Sequence, residues 1–319
     1  MPRTYPQLLR GPDHRWWRPL VSIALAVLTV LGLVIAVAVV AFVAAAVSGG
    51  TDGLDTVANR LEEEAFYSTP VGFLVNNLLL AALIPAVMVA VWVAHRWRPR
   101  WVSSVRPGLR WGWLLECAGW SLLFVGGLFV AGLLVDGSVD VDPERQLAAF
   151  AVVIVLTTPL QAAGEEYGFR GLLTQAIGSW FARPVVAAVV AGVVTATLFA
   201  LAHGSQSPWL FADRFAFGVV ASYLVWRTGG LEAGIALHTV NNFYAIGYSV
   251  LTGTLAESLT ATDYPAAAAV VDLVLMLAFA ATVRWRARRR GLARRHDPAA
   301  QPDRFGAVPP QVAWAAAGG

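Results

Sequence analysis

About eight apolar runs, each near the 17–25 residues that a helix needs to cross a bilayer, follow one another along this 319-residue chain. They lie near 20–47, 71–94, 112–135, 147–163, 184–203, 208–226, 231–250 and 266–285. In hydrocarbon every backbone N–H and C=O must be satisfied within the protein, so runs of this length fold as helices. Composition agrees. The chain is 57% hydrophobic and 13% charged, where a soluble domain carries about 25% charged residues. The expected fold class is all-α, a polytopic transmembrane helical bundle of about eight helices, placed in the cell membrane as a multi-pass protein. The first run exceeds the apolar stretch of a signal peptide, about 7–15 residues, and reads as an uncleaved transmembrane helix.

Charge sets the expected topology. The loop 95–111 carries His95, Arg96, Arg98, Arg100, Arg106 and Arg110, and the segment 284–295 is dense in arginine. Both belong on the cytoplasmic side by the positive-inside rule. The loop 48–70 (Asp52, Asp55, Glu62, Glu63, Glu64) and the loop 136–146 (Asp136, Asp140, Asp142, Glu144) then face outward. An even number of crossings leaves both termini cytoplasmic. Trp16, Trp17, Trp97, Trp101, Trp111 and Trp113 flank the runs as interfacial anchors do. The net charge of +3 is concentrated in these short flanks. That placement makes membrane lipids the expected partners of the arginines and argues against nucleic acid. The one cysteine, Cys117, excludes an internal disulfide and reads as a packing residue. No internal repeat is evident. The chain divides into N-terminal transmembrane helices and loops (1–146), a core rich in ionisable residues (147–250), a last transmembrane helix with a basic cytoplasmic flank (251–296) and a disordered tail (297–319).

Within the core, ionisable residues sit in membrane-grade sequence, where they are expensive and usually functional. The first group is Gly164-Glu165-Glu166-Tyr167-Gly168-Phe169-Arg170. Glu166 and Arg170 are four apart, in the favourable order for a helical ion pair. Glu165 points elsewhere and has no local partner, which suits a general base held near a reacting centre. The second group is Phe199-Ala-Leu-Ala-His203, whose ends share a helix face. The third is His238-Thr-Val-Asn-Asn242, again with its ends on one face; an imidazole and a carboxamide N–H there can both donate to an oxyanion. Each group also has a structural reading: a solvated helix end, a core histidine bonded to a carbonyl, polar contacts between helices. Of the five histidines, only His203 and His238 lie in apolar runs, and both have a partner at helical spacing. No HExxH is present. Glu165, His203 and His238 can supply three metal ligands and leave a fourth position for water. Equally, Glu165 and His203 can activate water without a metal while His238 and Asn242 hold the oxyanion.

The ordered set Glu165-Glu166-x-x-x-Arg170, Phe199-x-x-x-His203 and His238-x-x-x-Asn242 resembles the three motifs of the CPBP intramembrane protease family, the family of the CAAX proteases and of bacteriocin-processing and immunity proteins. The resemblance covers about 147–250. It implies an intramembrane metalloendopeptidase that hydrolyses a peptide bond in a membrane-associated protein or peptide, prenylated or CAAX-like substrates included. By family role Glu165 activates water with His203, and His238 and Asn242 serve the oxyanion. Glu166, Arg170 and Phe199 support the site. Family descriptions label such enzymes metalloproteases, for which Zn2+ on Glu165, His203 and His238 would be the site; a metal-free glutamate mechanism is the alternative. A non-catalytic membrane scaffold or immunity factor and a proton- or ion-coupled transporter are the alternative classes. Depth adds one expectation: Glu165 and His203 can meet only if the fourth helix runs past Arg170, to about Ile177. Pro159 is a place for that helix to kink.

Overall fold

A 33-residue helix, Leu147–Ser179, organises the fold. The computed structural model describes residues 2–11, 14–62, 66–127 and 141–296, with the backbone alone at 48, 49 and 51–62. α1 spans Arg18–Glu62 and breaks at Gly50, where φ is 59° and ψ is −140°. Lacking a Cβ, glycine enters that region at little cost. α2 (Pro70–Ala81) and α3 (Leu83–His95) continue one another. α4 (Trp111–Ser121) passes into a π-helical turn, Leu122–Gly126. The long helix consists of α5 (Leu147–Glu166), a π-helical turn (Tyr167–Leu173) and α6 (Thr174–Ser179). Then come α7 (Pro184–Leu201), α8 (Pro208–Thr228), α9 (Glu232–Leu251), the short α10 (Leu255–Thr260) and α11 (Ala266–Arg289). Proline opens α2, α7 and α8, where its missing N–H is no loss.

The protein is a polytopic helical bundle. Among the described residues, six helices are long and apolar enough to cross a membrane: Arg18–Val47, Pro70–His95, Leu147–Ser179, Pro184–Leu201, Pro208–Thr228 and Ala266–Arg289. Two of the eight expected spans fall outside that set. The run 112–135 leaves the described residues after Gly127. The run 231–250 does form a 20-residue helix, α9, but Glu232, His238, Asn241 and Asn242 make it more polar than a lipid-facing span. α9 is the central helix, packed on α4, α5 and α8. The outer helices present aliphatic surface to lipid, as α1 does with Val27, Leu28, Val40 and Val47.

Several expectations are corrected. The acidic segment 48–70 is not all loop, because α1 resumes after Gly50 and runs to Glu62. Acidic residues near a helix start favour the helix through its dipole, a signal that apolarity alone does not carry. Trp97, Trp101 and Trp113 are core residues rather than interfacial anchors, each at most 5% exposed, whereas Trp16, Trp17 and Trp111 are exposed. His95 and His296, read as lying in polar flanks, are buried. His95 lies against α1, its Nε2 3.4 Å from Ser22 Oγ, and His296 is covered by a clasp between the two flanks of the chain. Arg3–Thr4 pairs antiparallel with Arg295–His296, a two-stranded ribbon β1–β2. Trp101 covers the His296 ring with centroids 4.3 Å apart, and the Arg3 guanidinium lies 5.0 Å from the centre of Trp97. Both flanks are therefore at one end of the bundle. The acidic residues at 136–140 and the tail 297–319 lie outside the described residues.

α5 approaches the α2–α3 span closely because position 164 has no side chain. A Cβ on Gly164 would sit 2.1 Å from the Leu80 carbonyl oxygen. Backbone cannot yield as a flexible side chain does, so Gly164→Ala is expected to destabilise the fold by about 1–3 kcal/mol through overpacking. Thermal unfolding of the two proteins in the same detergent checks this.

Candidate active site

The long helix continues past Arg170 to Ser179, which keeps Glu165, Glu166 and Arg170 inside the bundle. The Arg170 Nη1–H donates to Glu166 Oε1 at 2.9 Å, and both side chains are fully buried. A buried carboxylate and guanidinium are tolerable only as a pair. The guanidinium also lies against aromatic faces, 4.2 Å from the centre of Phe199 and 5.5 Å from that of Phe217. Two glycines make room. A Cβ on Gly234 would lie 2.6 Å from Glu166 Oε2, and one on Gly218 would lie 2.7 Å from the Ala196 Cα and 3.3 Å from Arg170 Nη2. The turn that carries Arg170 is π-helical, a form concentrated at functional sites.

His238 stands between the two glutamates. Its Nδ1 is 3.2 Å from Glu166 Oε1, and its Nε2 is 3.3 Å from Glu165 Oε2. Glu166, which takes the Arg170 Nη1–H, also accepts the His238 Nδ1–H. This assigns the tautomer by its partners. Nε2 is thereby left facing Glu165, with which it can exchange one proton. Glu165 is 13% exposed at its side chain. Its Oε2 is buried and takes no hydrogen bond from a described residue. On the same face of α9, the Asn242 Nδ2–H donates to Gln161 Oε1 at 3.0 Å.

His203 lies in the turn after α7. Its Nδ1–H donates to the Phe199 carbonyl oxygen at 2.7 Å, which turns Nε2 away from the backbone. The Phe199 ring is edge-on to both imidazoles, with centroids 4.8 Å from His203 and 5.8 Å from His238. A cavity of about 470 Å³ is lined by Phe199, His203, His238, Asn241 and Asn242. Phe217, Leu237 and Met276 are among its apolar walls, and Asp213, Arg214, Tyr264 and Asp272 also border it. The Tyr264 hydroxyl donates to Asp272 Oδ2 at 2.5 Å. Burial, with that bond, pushes the Tyr264 phenol above its ordinary range. Glu165 is not part of the cavity wall; His238 touches both.

All seven residues taken from the three motifs therefore cluster around His238 and this cavity. Glu165 Oε2 and His238 Nε2 are spaced as two ligands of one ion would be, at 3.3 Å. No third side chain joins them: among the described residues, no group of three His, Cys, Asp or Glu side chains is arranged to hold a metal ion. A Zn2+ site on Glu165, His203 and His238 finds no support in the positions of the described residues. Gln161 escaped the sequence reading. Its signal was a lone carboxamide in an apolar run, one helical turn before Glu165.

Residues 146–244 match the family model described as type II CAAX prenyl endopeptidase Rce1-like. This segment is similar to that family. It contains Glu165, Glu166, Arg170, Phe199, His203, His238 and Asn242, and it coincides closely with the 147–250 over which the motifs resemble the CPBP proteases. The matched segment starts one residue before α5 and ends within α9, so it holds α5 and the part of α9 that carries His238 and Asn242. The chain is also 26% identical over 197 residues to the uncharacterized protein YyaK of Bacillus subtilis (strain 168), covering 57% of this chain and 63% of that one. The match thus spans less than two thirds of the relative's length. No solved structure matches the chain.

Proposed function

We propose that the protein is an intramembrane endopeptidase that hydrolyses a peptide bond in a membrane-associated protein or peptide, using water activated by Glu165. The observation that carries this reading is the placement of His238: its Nδ1 is held by Glu166 and its Nε2 faces Glu165, at the wall of a cavity it shares with His203 and Asn242. Glu165 takes a proton from water as the water oxygen attacks the peptide carbonyl carbon. His203, its Nδ1–H already given to Phe199, offers Nε2 to orient that water. The carbonyl oxygen becomes an oxyanion, for which the Asn242 Nδ2–H and a protonated His238 Nε2 are the donors. When the C–N bond breaks, the proton held between Glu165 and His238 passes to the leaving amine. Atoms and charge balance: one water enters, and a carboxyl and an amine leave.

The Rce1-like segment supports this class of chemistry, and the family description names CAAX prenyl endopeptidases. Substrates with a membrane-anchored chain end are the first to test. The arginine-rich flanks put both termini on the cytoplasmic side in this reading, with the clasp of Arg3–Thr4 and Arg295–His296 there too.

Purified protein in nanodiscs, offered a library of lipid-anchored peptides, is expected to cleave a subset of them. Because no step above passes through a metal, cleavage is expected to survive exhaustive treatment with a zinc chelator. Loss of cleavage on chelation, with recovery on adding Zn2+, would replace the glutamate mechanism by a metal one. Absence of cleavage across the library, with proton flux in proteoliposomes instead, would favour the transporter class.

A further inference from the structure

α5 and α9 meet through two polar rungs, one helical turn apart. The upper rung is Glu165 Oε2 to His238 Nε2, 3.3 Å. The lower is the Asn242 Nδ2–H donating to Gln161 Oε1, 3.0 Å. Gln161 precedes Glu165 by four residues and Asn242 follows His238 by four, so each helix presents its pair on one face. Gln161 is 7% exposed and Asn242 is half-buried, in the stretch where the two helices pack.

From this arrangement we infer that Gln161 is a positioning residue for the oxyanion donor, an inference that rests on the proposed peptidase reading. A carboxamide has two chemically opposite ends, an NH2 with two donors and an oxygen that only accepts. Either end of Asn242 fits the same space, but only the NH2 can stabilise a negatively charged oxygen. With its Oε1 turned toward α9, Gln161 selects the NH2 end of Asn242. Its Oε1 holds one Nδ2–H of Asn242, and the second Nδ2–H of the same planar group remains for the cavity that Asn242 borders. If Asn242 turned over, its oxygen would face Gln161 Oε1, two acceptors without a proton between them. Holding a donor before charge develops is what makes such a site effective, because no reorganisation is then needed during the reaction. Gln161 itself need not touch substrate. It acts through Asn242, on the same helix turn register that delivers Glu165.

The test is a kinetic cycle on the full-length protein in nanodiscs, with a cleaved lipid-anchored peptide. Gln161→Met keeps the length and removes the acceptor. It is expected to lower kcat about tenfold to a hundredfold, less than the roughly hundredfold to thousandfold for losing an oxyanion donor outright, with KM changed less than about twofold, since uniform binding is untouched. Gln161→Glu, which keeps an acceptor oxygen at that place, is expected to recover most of the loss. On an Asn242→Ala background, Gln161→Met is expected to have no further effect. A structural role would instead lower activity again on that background. Additivity, or full kcat in Gln161→Met with cleavage intact in the wild type, overturns the positioning role alone. If Asn242→Ala retains full kcat, or the wild type cleaves nothing, the parent reading fails and this role with it.

Discussion

Glu165→Gln is expected to abolish cleavage, lowering kcat by about 10²–10⁴-fold, the range for removing a general base. The amide has the carboxylate's shape and cannot take a proton from water. The fold should not notice. Glu165 Oε2 accepts no hydrogen bond from a described residue, and its neighbour is the His238 Nε2 at 3.3 Å rather than an arginine. The thermal midpoint of Glu165→Gln is accordingly expected to shift far less than that of Arg170→Met, because the amide keeps the carboxylate's shape and can still meet His238 Nε2. Single-turnover cleavage and a thermal scan on the same preparation check both halves. Lost activity with an unchanged midpoint assigns chemistry to Glu165. Retained activity removes it from the mechanism.

Arg170→Met gives the opposite outcome, a stability effect first. Glu166 and Arg170 are both 0% exposed and bonded at 2.9 Å. Removing one partner leaves a buried charge without compensation, a change that costs about 3–5 kcal/mol. That is a large share of a typical total of about 5–15 kcal/mol. Arg170→Met is therefore expected to unfold at a much lower temperature or fail to accumulate. Adding Glu166→Gln removes the stranded charge, and the double variant is expected to regain much of the loss, because groups in direct contact do not contribute additively. Its kcat should still be low: the amide at 166 no longer offers the carboxylate that holds His238 Nδ1, 3.2 Å away. Unfolding curves of both single variants and the double, in one detergent, measure this. Additive destabilisation in the double would mean that the two side chains are not coupled as a pair.

What the sequence made legible was set by periodicity and price. Runs near 20 residues with almost no charge can only be helices in lipid, so the helical bundle followed directly. Glu166 and Arg170 at four-residue spacing announced their pair, which the structure places at 2.9 Å. The continuation of the fourth helix past Arg170, to about Ile177, was readable too, but only through an argument about depth, and the helix ends at Ser179; Glu165, Glu166 and Arg170 interrupt the apolar run that hydropathy follows. Contacts between distant segments were not legible. Nothing local in Trp97, Trp101 or His296 says that the chain's two ends will close over them. An interfacial tryptophan and a buried one share the same composition of neighbours. His238 was assigned a place opposite the oxyanion, and its contact with both glutamates depends on how α5 and α9 are turned toward each other. Gln161 was hidden for the same reason: its partner Asn242 is on another helix, and a single amide in an apolar run carries no spacing pattern of its own.

The most direct measurement of water activation by Glu165 is the position of label after a single turnover. Excess wild-type protein in nanodiscs cleaves a lipid-anchored peptide in oxygen-18 water, and mass spectrometry reads the new carboxyl group. If Glu165 activates water for direct attack, the first turnover places one oxygen-18 in that group, and Glu165→Gln yields no product. An unlabelled carboxyl in the first turnover, with label appearing only later, would mean that a side-chain carboxylate attacks the peptide carbonyl and gives up its own oxygen, which water then replaces. Labelled product from Glu165→Gln at the wild-type rate would mean that the water is activated elsewhere.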